Sequence, residues 1–260
     1  MHNSSHATIP TRRERRNALL MTFAAMIVVY ILWNVPAFDF LAAPLRLFVT
    51  LVHEMGHGLA ALATGGQVLG FLVSLDGSGL AVTAGGSRAI ILPAGYLGAA
   101  CFGSLLFVLA NRLPRAANGI ALLLGFSIIL FVVLFARPDD QTGLPVAAFL
   151  GIGVGFLLLL AGWKLHGWLV LLVLNVLAVM TALNAVLDLW FLLNYSDAGR
   201  GAVTNDAAAF SRDILPLLPP SVIALSWALL ALGMLALAIW WGVWKPLHSE
   251  LNETLDTLRS

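Results

Sequence analysis

Charge is what this chain has least of. Only 10% of its 260 residues are Asp, Glu, Lys or Arg, whereas a soluble domain carries about a quarter. Hydrophobic residues make up 60%, and they fall in long runs separated by short polar breaks. An ordinary soluble fold is therefore excluded, and a membrane becomes the solvent to reason with. A bilayer core needs roughly 20 apolar residues per helix. Irregular backbone cannot face lipid, so the runs are expected to be helices. The 14 basic residues are balanced by 13 acidic ones, which leaves no excess positive charge and excludes a nucleic-acid partner. The single cysteine, Cys101, rules out an intrachain disulfide and a cysteine-based zinc knuckle. In its apolar stretch it is expected to be a small buried hydrophobe.

Run length predicts about seven helices, at 17–37, 42–64, 89–111, 118–136, 144–162, 167–193 and 220–243. The fold class expected is an all-α polytopic membrane protein of about six to seven transmembrane helices, with a short β-hairpin after the second. Polar breaks separate the runs: Pro36 with Asp39, Arg112 to Arg115, Arg137 to Asp140, and Lys164 with His166. Trp163, Trp168, Trp240, Trp241 and Trp244 stand near run ends, where an aromatic belt belongs. The cluster Arg12, Arg13, Arg15 and Arg16 precedes the first run. It has the flank of a signal peptide but no small-x-small cleavage site, so a retained first helix with a cytoplasmic N-terminus is expected. The domains expected are a disordered tail at 1–16, one membrane domain at 17–245 and a polar tail at 246–260.

Two stretches do not read as spans. Gly65 to Gly86 is rich in glycine and β-branched residues. It predicts a strand over Val68–Leu75, a turn at Asp76-Gly77-Ser78-Gly79 and a strand over Leu80–Ala84. Asn194 to Pro220 carries Asp197, Arg200, Asp206, Arg212 and Asp213 and reads as a polar loop.

The chemistry is concentrated in His53-Glu54-Met55-Gly56-His57, an H-E-x-x-H motif inside the second apolar run. Residues four apart on a helix share one face, so both imidazoles can reach one metal. Glu54, about 100° round the helix, can hold a water without ligating. Zinc lowers the pKa of a bound water toward 7, and the carboxylate can take its proton. Ionisable groups within a span are costly and tend to be functional. Metal binding gives three of them in five residues a common reason; a polar packing cluster or a proton path is the plainer alternative. Gly56 and Gly58 flank His57, where they permit close approach of a helix or a substrate backbone, or ordinary small-residue packing.

Two histidines do not complete a site, because catalytic zinc usually has three protein ligands and one open position. His2, His6, His166 and His248 lie in a tail, at a helix end or beyond. Asp188 is the one acid within the sixth run, and Thr181, Asn184 and Asp188 form a polar stripe at i, i+3 and i+7. A lone Asp in a span needs a partner, and zinc held by His53 and His57 supplies one, so Asp188 is the expected third ligand. Asn184 is the candidate to orient that carboxylate or to bind a substrate carbonyl. Asp76, Asp197, Asp206 and Asp213 are the competitors; Asp206 reaches the site only if its loop folds back into the membrane.

The motif within a span, the glycine-rich hairpin and the distant intramembrane Asp resemble the site-2 protease family of intramembrane zinc metalloproteases, in particular its small bacterial branch. The resemblance rests on His53–Gly66 (HEMGHGLAALATGG), Asp76–Gly79 with Gly85–Arg88, and Asn205–Ala208, and spans about 45–235. It implies zinc as cofactor, His53 and His57 as ligands and Glu54 as catalytic base. The family's third ligand is an Asp on a later helix, often in an Asn-Pro-rich Leu-Asp-Gly motif. This chain departs there: its Leu-Asp-Gly at 75–77 belongs to the hairpin, and Asp188 is followed by Leu. No PDZ domain is present, so regulation through one is not expected.

The implied function is hydrolysis of a peptide bond within or near a transmembrane segment of a protein substrate, in a lipid bilayer and, by the branch resembled, in a bacterial cell membrane. A substrate strand is expected to add to the open edge of residues 68–84, against Leu69, Phe71 and Val73. The rival functions are a proteolytically inactive zinc-binding scaffold and an ion path through His53, Glu54, His57 and Asp188. No internal inverted repeat or pair of broken helices favours a transporter. Substrate identity and oligomeric state are not legible.

Overall fold

The computed structural model describes residues 12–138, 143–195, 205–246 and 248. The chain is mostly helical, at 81%. In chain order the elements are α1 (Arg12–Asn34), α2 (Asp39–Ala63), β1 (Gln67–Val73), β2 (Gly79–Ala84), α3 (Arg88–Arg112), α4 (Ala117–Phe135), α5 (Val146–Lys164), α6 (Gly167–Tyr195), α7 (Asp206–Asp213) and α8 (Pro220–Ile239). Short 3-10 turns precede α2 and α4, and α8 runs on into a π-helical turn over Trp240–Trp244.

Six of these helices are long and apolar enough to cross a bilayer: α2 to α6 and α8. α1 carries a shorter apolar stretch, Arg16–Leu32. It begins at Arg12, so Arg12–Arg16, expected in the tail, form its first turns; the rest of that tail lies outside the described residues. The protein is an integral membrane protein by helix length and composition. Its outward faces carry large apolar side chains such as Phe23, Tyr30, Phe126 and Phe149, and the run-end tryptophans Trp163, Trp168, Trp240, Trp241 and Trp244 are all exposed. Cys101 is exposed on α3, not buried as expected: its position in the helix turns it outward.

α6 is the central helix. Of its apolar stretch 61% is buried, against 28–50% in the other five, and it packs on α1, α3 and α8. Helices in lipid gain no hydrophobic drive toward one another, so they associate through close packing and polar contacts. Both are visible. Gly103 of α3 sits against the Ala178 and Ala182 backbone of α6, and Gly125 of α4 sits against Gly155 of α5. Thr22, Asn111 and Asn175 join α1, α3 and α6 in a buried network: the Thr22 hydroxyl donates to Asn111 Oδ1 at 2.6 Å, and Asn111 Nδ2 donates to Asn175 Oδ1 at 2.9 Å.

α2 ends in a Schellman motif. Gly65 takes φ +81, its N–H donates to the Leu62 carbonyl, and the Gly66 N–H donates to Ala61. The left-handed residue costs glycine nothing and turns the chain out of the helix. The hairpin follows directly, antiparallel, with Phe71 opposite Ala81 and a bulge between Val68 and Gly70. Its turn is closed by the Ser78 N–H donating to Asp76 Oδ1 at 2.9 Å. The pairing of Ser74 N–H with the Ser78 carbonyl sets the alternation of the ladder. Ser74 and Ser78 share this one bond, the 72/80 pair falls in the hydrogen-bonded register, and the backbone groups of 71/81 and 73/79 point away from the partner strand. Consistent with this, the outward Phe71 carbonyl accepts from Arg137 N–H at 2.8 Å. The β1 edge is thus partly taken by the segment after α4, and the β2 edge presents the backbone of Gly79 and Ala81 outward.

The predicted loop over Asn194–Pro220 contains more structure than expected. α6 continues to Tyr195, and α7 is a helix of 8 residues. Asn205 caps α7 by accepting the Ala208 N–H at 2.8 Å, and its polar neighbours mask the helix in the sequence. Asp197 and Arg200 lie outside the described residues.

Candidate metal centre

The H-E-x-x-H segment occupies the C-terminal half of α2, which crosses α3 closely. A Cβ at Gly56 would run into the Ala94 carbonyl, and one at Gly95 would overlap His53 Nε2 and Cε1 and His57 Nε2. The two glycines let the helices meet where the imidazoles lie. Gly58 serves packing, against Phe131 and Val68.

The two imidazoles meet a carboxylate delivered from α7. Asp206 Oδ2 lies 3.2 Å from His53 Nε2 and 3.3 Å from His57 Nε2, and the two Nε2 atoms are 3.0 Å apart. One donor atom from each of the three residues lies within 4.8 Å of the others. Tetrahedral zinc with bonds of 2.0–2.1 Å has donor–donor edges of about 3.3 Å, so the three spacings fit a zinc site. The donor set, two imidazoles and a carboxylate, is the one such catalytic sites use.

The orientation of His57 is fixed from behind. The Ile91 carbonyl stands 2.7 Å from its Nδ1. A carbonyl can only accept, so Nδ1 carries the proton and Nε2 is left able to bind a metal, the arrangement that tunes metal-bound histidines. Asp206 is the first residue of α7, where the helix dipole favours an anion. α7 is tied to α3 through Asp213, which pairs with Arg88 and Arg212.

Glu54 is buried, 5% exposed. Its carboxylate lies against Gly79 of β2, where a Cβ would overlap it, and the outward backbone N–H of Ala81 faces it. His53, Glu54, His57 and Asp206 line one cavity of about 410 Å³ together with Gly79, Leu80, Ala81 and Thr83 of β2, and with Arg88, Tyr96 and Asp188.

Asp188, the expected third ligand, lines this cavity but is not in the three-residue cluster. Its carboxylate accepts from Asn184 Nδ2 at 2.7 Å. Asn184 does not line the cavity. Of the β1 residues expected to meet substrate, Phe71 is 1% and Val73 0% exposed. Phe71 packs on Phe131 at 5.4 Å between ring centroids. These two side chains belong to the core, Leu69 is exposed, and the strand that faces the cavity is β2. Asp76 caps the hairpin turn. The residues that sequence reasoning passed over are Tyr96, Gly79 and Gly95. Tyr96 had no signal in its apolar surroundings, and the glycines matter only through what they lie against.

The bundle of membrane helices brings His53, His57 and Asp206 together, beside the Glu54 carboxylate, as a partly buried group that could hold a metal ion. The family model Peptidase M50B-like matches residues 22–238, and the chain belongs to this family, within the site-2 proteases. No curated protein and no solved structure matches the chain.

Proposed function

We propose that the chain is an intramembrane zinc metalloprotease that hydrolyses a peptide bond within or near a transmembrane segment of a protein substrate. His53, His57 and Asp206 are the zinc ligands, and Glu54 is the general base. The observation that carries this reading is the convergence of the three ligand atoms, drawn from two helices far apart in sequence, on a cavity that also holds the Glu54 carboxylate. Family membership supports the same chemistry.

Zinc, when bound, acts as a Lewis acid toward water and toward the scissile carbonyl. The chain's own residues do the rest. Glu54 takes a proton from the attacking water as the C–O bond forms, and returns it to the leaving nitrogen as the C–N bond breaks. The outward edge of β2, with Gly79 and Ala81 beside the Glu54 carboxylate, gives an extended substrate segment a strand to lie along. A helical peptide bond is shielded by its own hydrogen bonds, so unwinding onto that edge both exposes the bond and re-satisfies the strand. Asp188 stands on the same cavity as an acid left out of the ligand set.

The test is cleavage of a library of apolar transmembrane peptides by detergent-purified protein. Wild type is expected to cleave in a chelator-sensitive way and Glu54→Gln to lose cleavage. Equal rates in the two would refute the assignment.

A further inference from the structure

Peptide hydrolysis places negative charge on the scissile carbonyl oxygen as the carbon becomes tetrahedral, and a donor aimed at that oxygen is among the largest single contributions to rate. The cavity's donors can be sorted by what they already hold. The Thr50 hydroxyl donates to the Gly77 carbonyl at 2.9 Å. Ser78 Oγ donates to Asp76 at 2.7 Å, and Arg88 is paired with Asp213. Asn205 Oδ1 accepts the Ala208 N–H as the α7 cap, which holds its amide at the helix start and turns its Nδ2 to no described partner.

Tyr96 differs. It lines the cavity, and its hydroxyl makes no hydrogen bond with a described residue. It is not sealed away either, because the one buried side-chain polar atom without a partner among the described residues is Ser104 Oγ. The ring itself is firmly held. It meets His53 edge-on at 4.5 Å between centroids and lies at 6.4 Å from Trp227, which packs on Phe210 of α7 at 5.5 Å. The phenol is thereby wedged between a ligand-bearing helix and the aromatic pair that seats the helix carrying Asp206. A free O–H on a ring locked beside the ligands is a donor organised in advance of the substrate.

We infer that Tyr96 is a catalytic residue whose phenol donates a hydrogen bond to the scissile carbonyl oxygen as it gains negative charge. The phenol keeps its proton and no bond to it forms; the proton traffic stays with Glu54. This inference rests on the proposed protease function.

The experiment compares wild type, Tyr96→Phe and Thr83→Val, Thr83 being the other cavity hydroxyl without a hydrogen bond to a described residue. It measures kcat, KM, zinc content and affinity for a phosphinic peptide that mimics the tetrahedral carbon. Tyr96→Phe is expected to lower kcat about 100-fold and to weaken phosphinic-peptide binding by a similar factor. KM and zinc content should hold at wild-type values, because the ring and its packing are kept. A kcat within twofold of wild type overturns the inference, as does a fall of that size in Thr83→Val alone. A fall in zinc content in Tyr96→Phe would make the residue structural and also overturn it. If the wild type shows no Glu54-dependent cleavage, the protease reading fails first and this inference falls with it.

Discussion

Gly95 offers a perturbation whose consequence can be worked from geometry. A methyl group there would overlap the ligand nitrogens of both His53 and His57. Neither obstacle is the far end of a flexible chain: His57 is pinned through Nδ1 to the Ile91 carbonyl at 2.7 Å, and the His53 ring is held edge-on by Tyr96. The imidazoles must turn, or α2 and α3 must separate. Loss of an outer partner of a metal ligand costs 10–100-fold in affinity, and displacing two ligands at once should reach at least the upper figure, about 2.8 kcal/mol. Gly95→Ala is therefore predicted to weaken zinc binding about 100-fold or more, measured by chelator competition on detergent-purified protein. Gly98→Ala, on the same helix, is the control. Its added Cβ would meet only the Gly56 Cα at an ordinary 3.5 Å, so zinc affinity and thermal stability should hold. Wild-type zinc affinity in Gly95→Ala would refute the packing argument and with it the placement of α3 against the ligands.

Three further outcomes follow from the same geometry. Gly79→Ala pushes on the Glu54 carboxylate without touching the ligands, so kcat should fall by at least tenfold, a shift in ΔG‡ of about 1.4 kcal/mol, with zinc content unchanged; loss of zinc instead would show that β2 supports the ligands. Asn205→Ala removes the α7 cap, worth about 1 kcal/mol, and zinc affinity should drop about fivefold because Asp206 begins that helix; unchanged affinity would mean that α7 is held by its other contacts. Asn175→Ala breaks the buried Thr22–Asn111–Asn175 network and should lower stability by about 1–2 kcal/mol, read as the midpoint of thermal unfolding in detergent, while leaving zinc content at the wild-type value.

The parts of this molecule written in local pattern were legible in its sequence. Apolar run length fixes five of the six spans to within a few residues. H-E-x-x-H at helical spacing names three residues that line one cavity, and Asp-Gly between apolar runs marks the hairpin. What the pattern does not carry is how distant segments meet. Asp188 was the natural third ligand because a lone acid in a span needs a partner, yet the oxygen nearest both imidazoles is that of Asp206, which the sequence could offer only as a competitor. Its signal, an Asn cap followed by Asp-Ala-Ala-Ala, was present but lay among charged residues that read as loop. Which hairpin strand faces the site was likewise hidden, since nothing local in β1 or β2 says which edge another segment will cover. The choice is made by the register and by the Arg137 N–H that occupies the β1 edge. Tyr96 and Cys101 were misjudged or missed for one reason: in an apolar helix the sequence does not say which face is inward.

The most direct measurement of the central claim is the zinc content of purified wild type beside His57→Ala, Asp206→Ala and Asp188→Ala. The account predicts one zinc per chain in wild type and in Asp188→Ala, and its loss in His57→Ala and Asp206→Ala. Zinc kept in Asp206→Ala but lost in Asp188→Ala would contradict it and make Asp188 the third ligand.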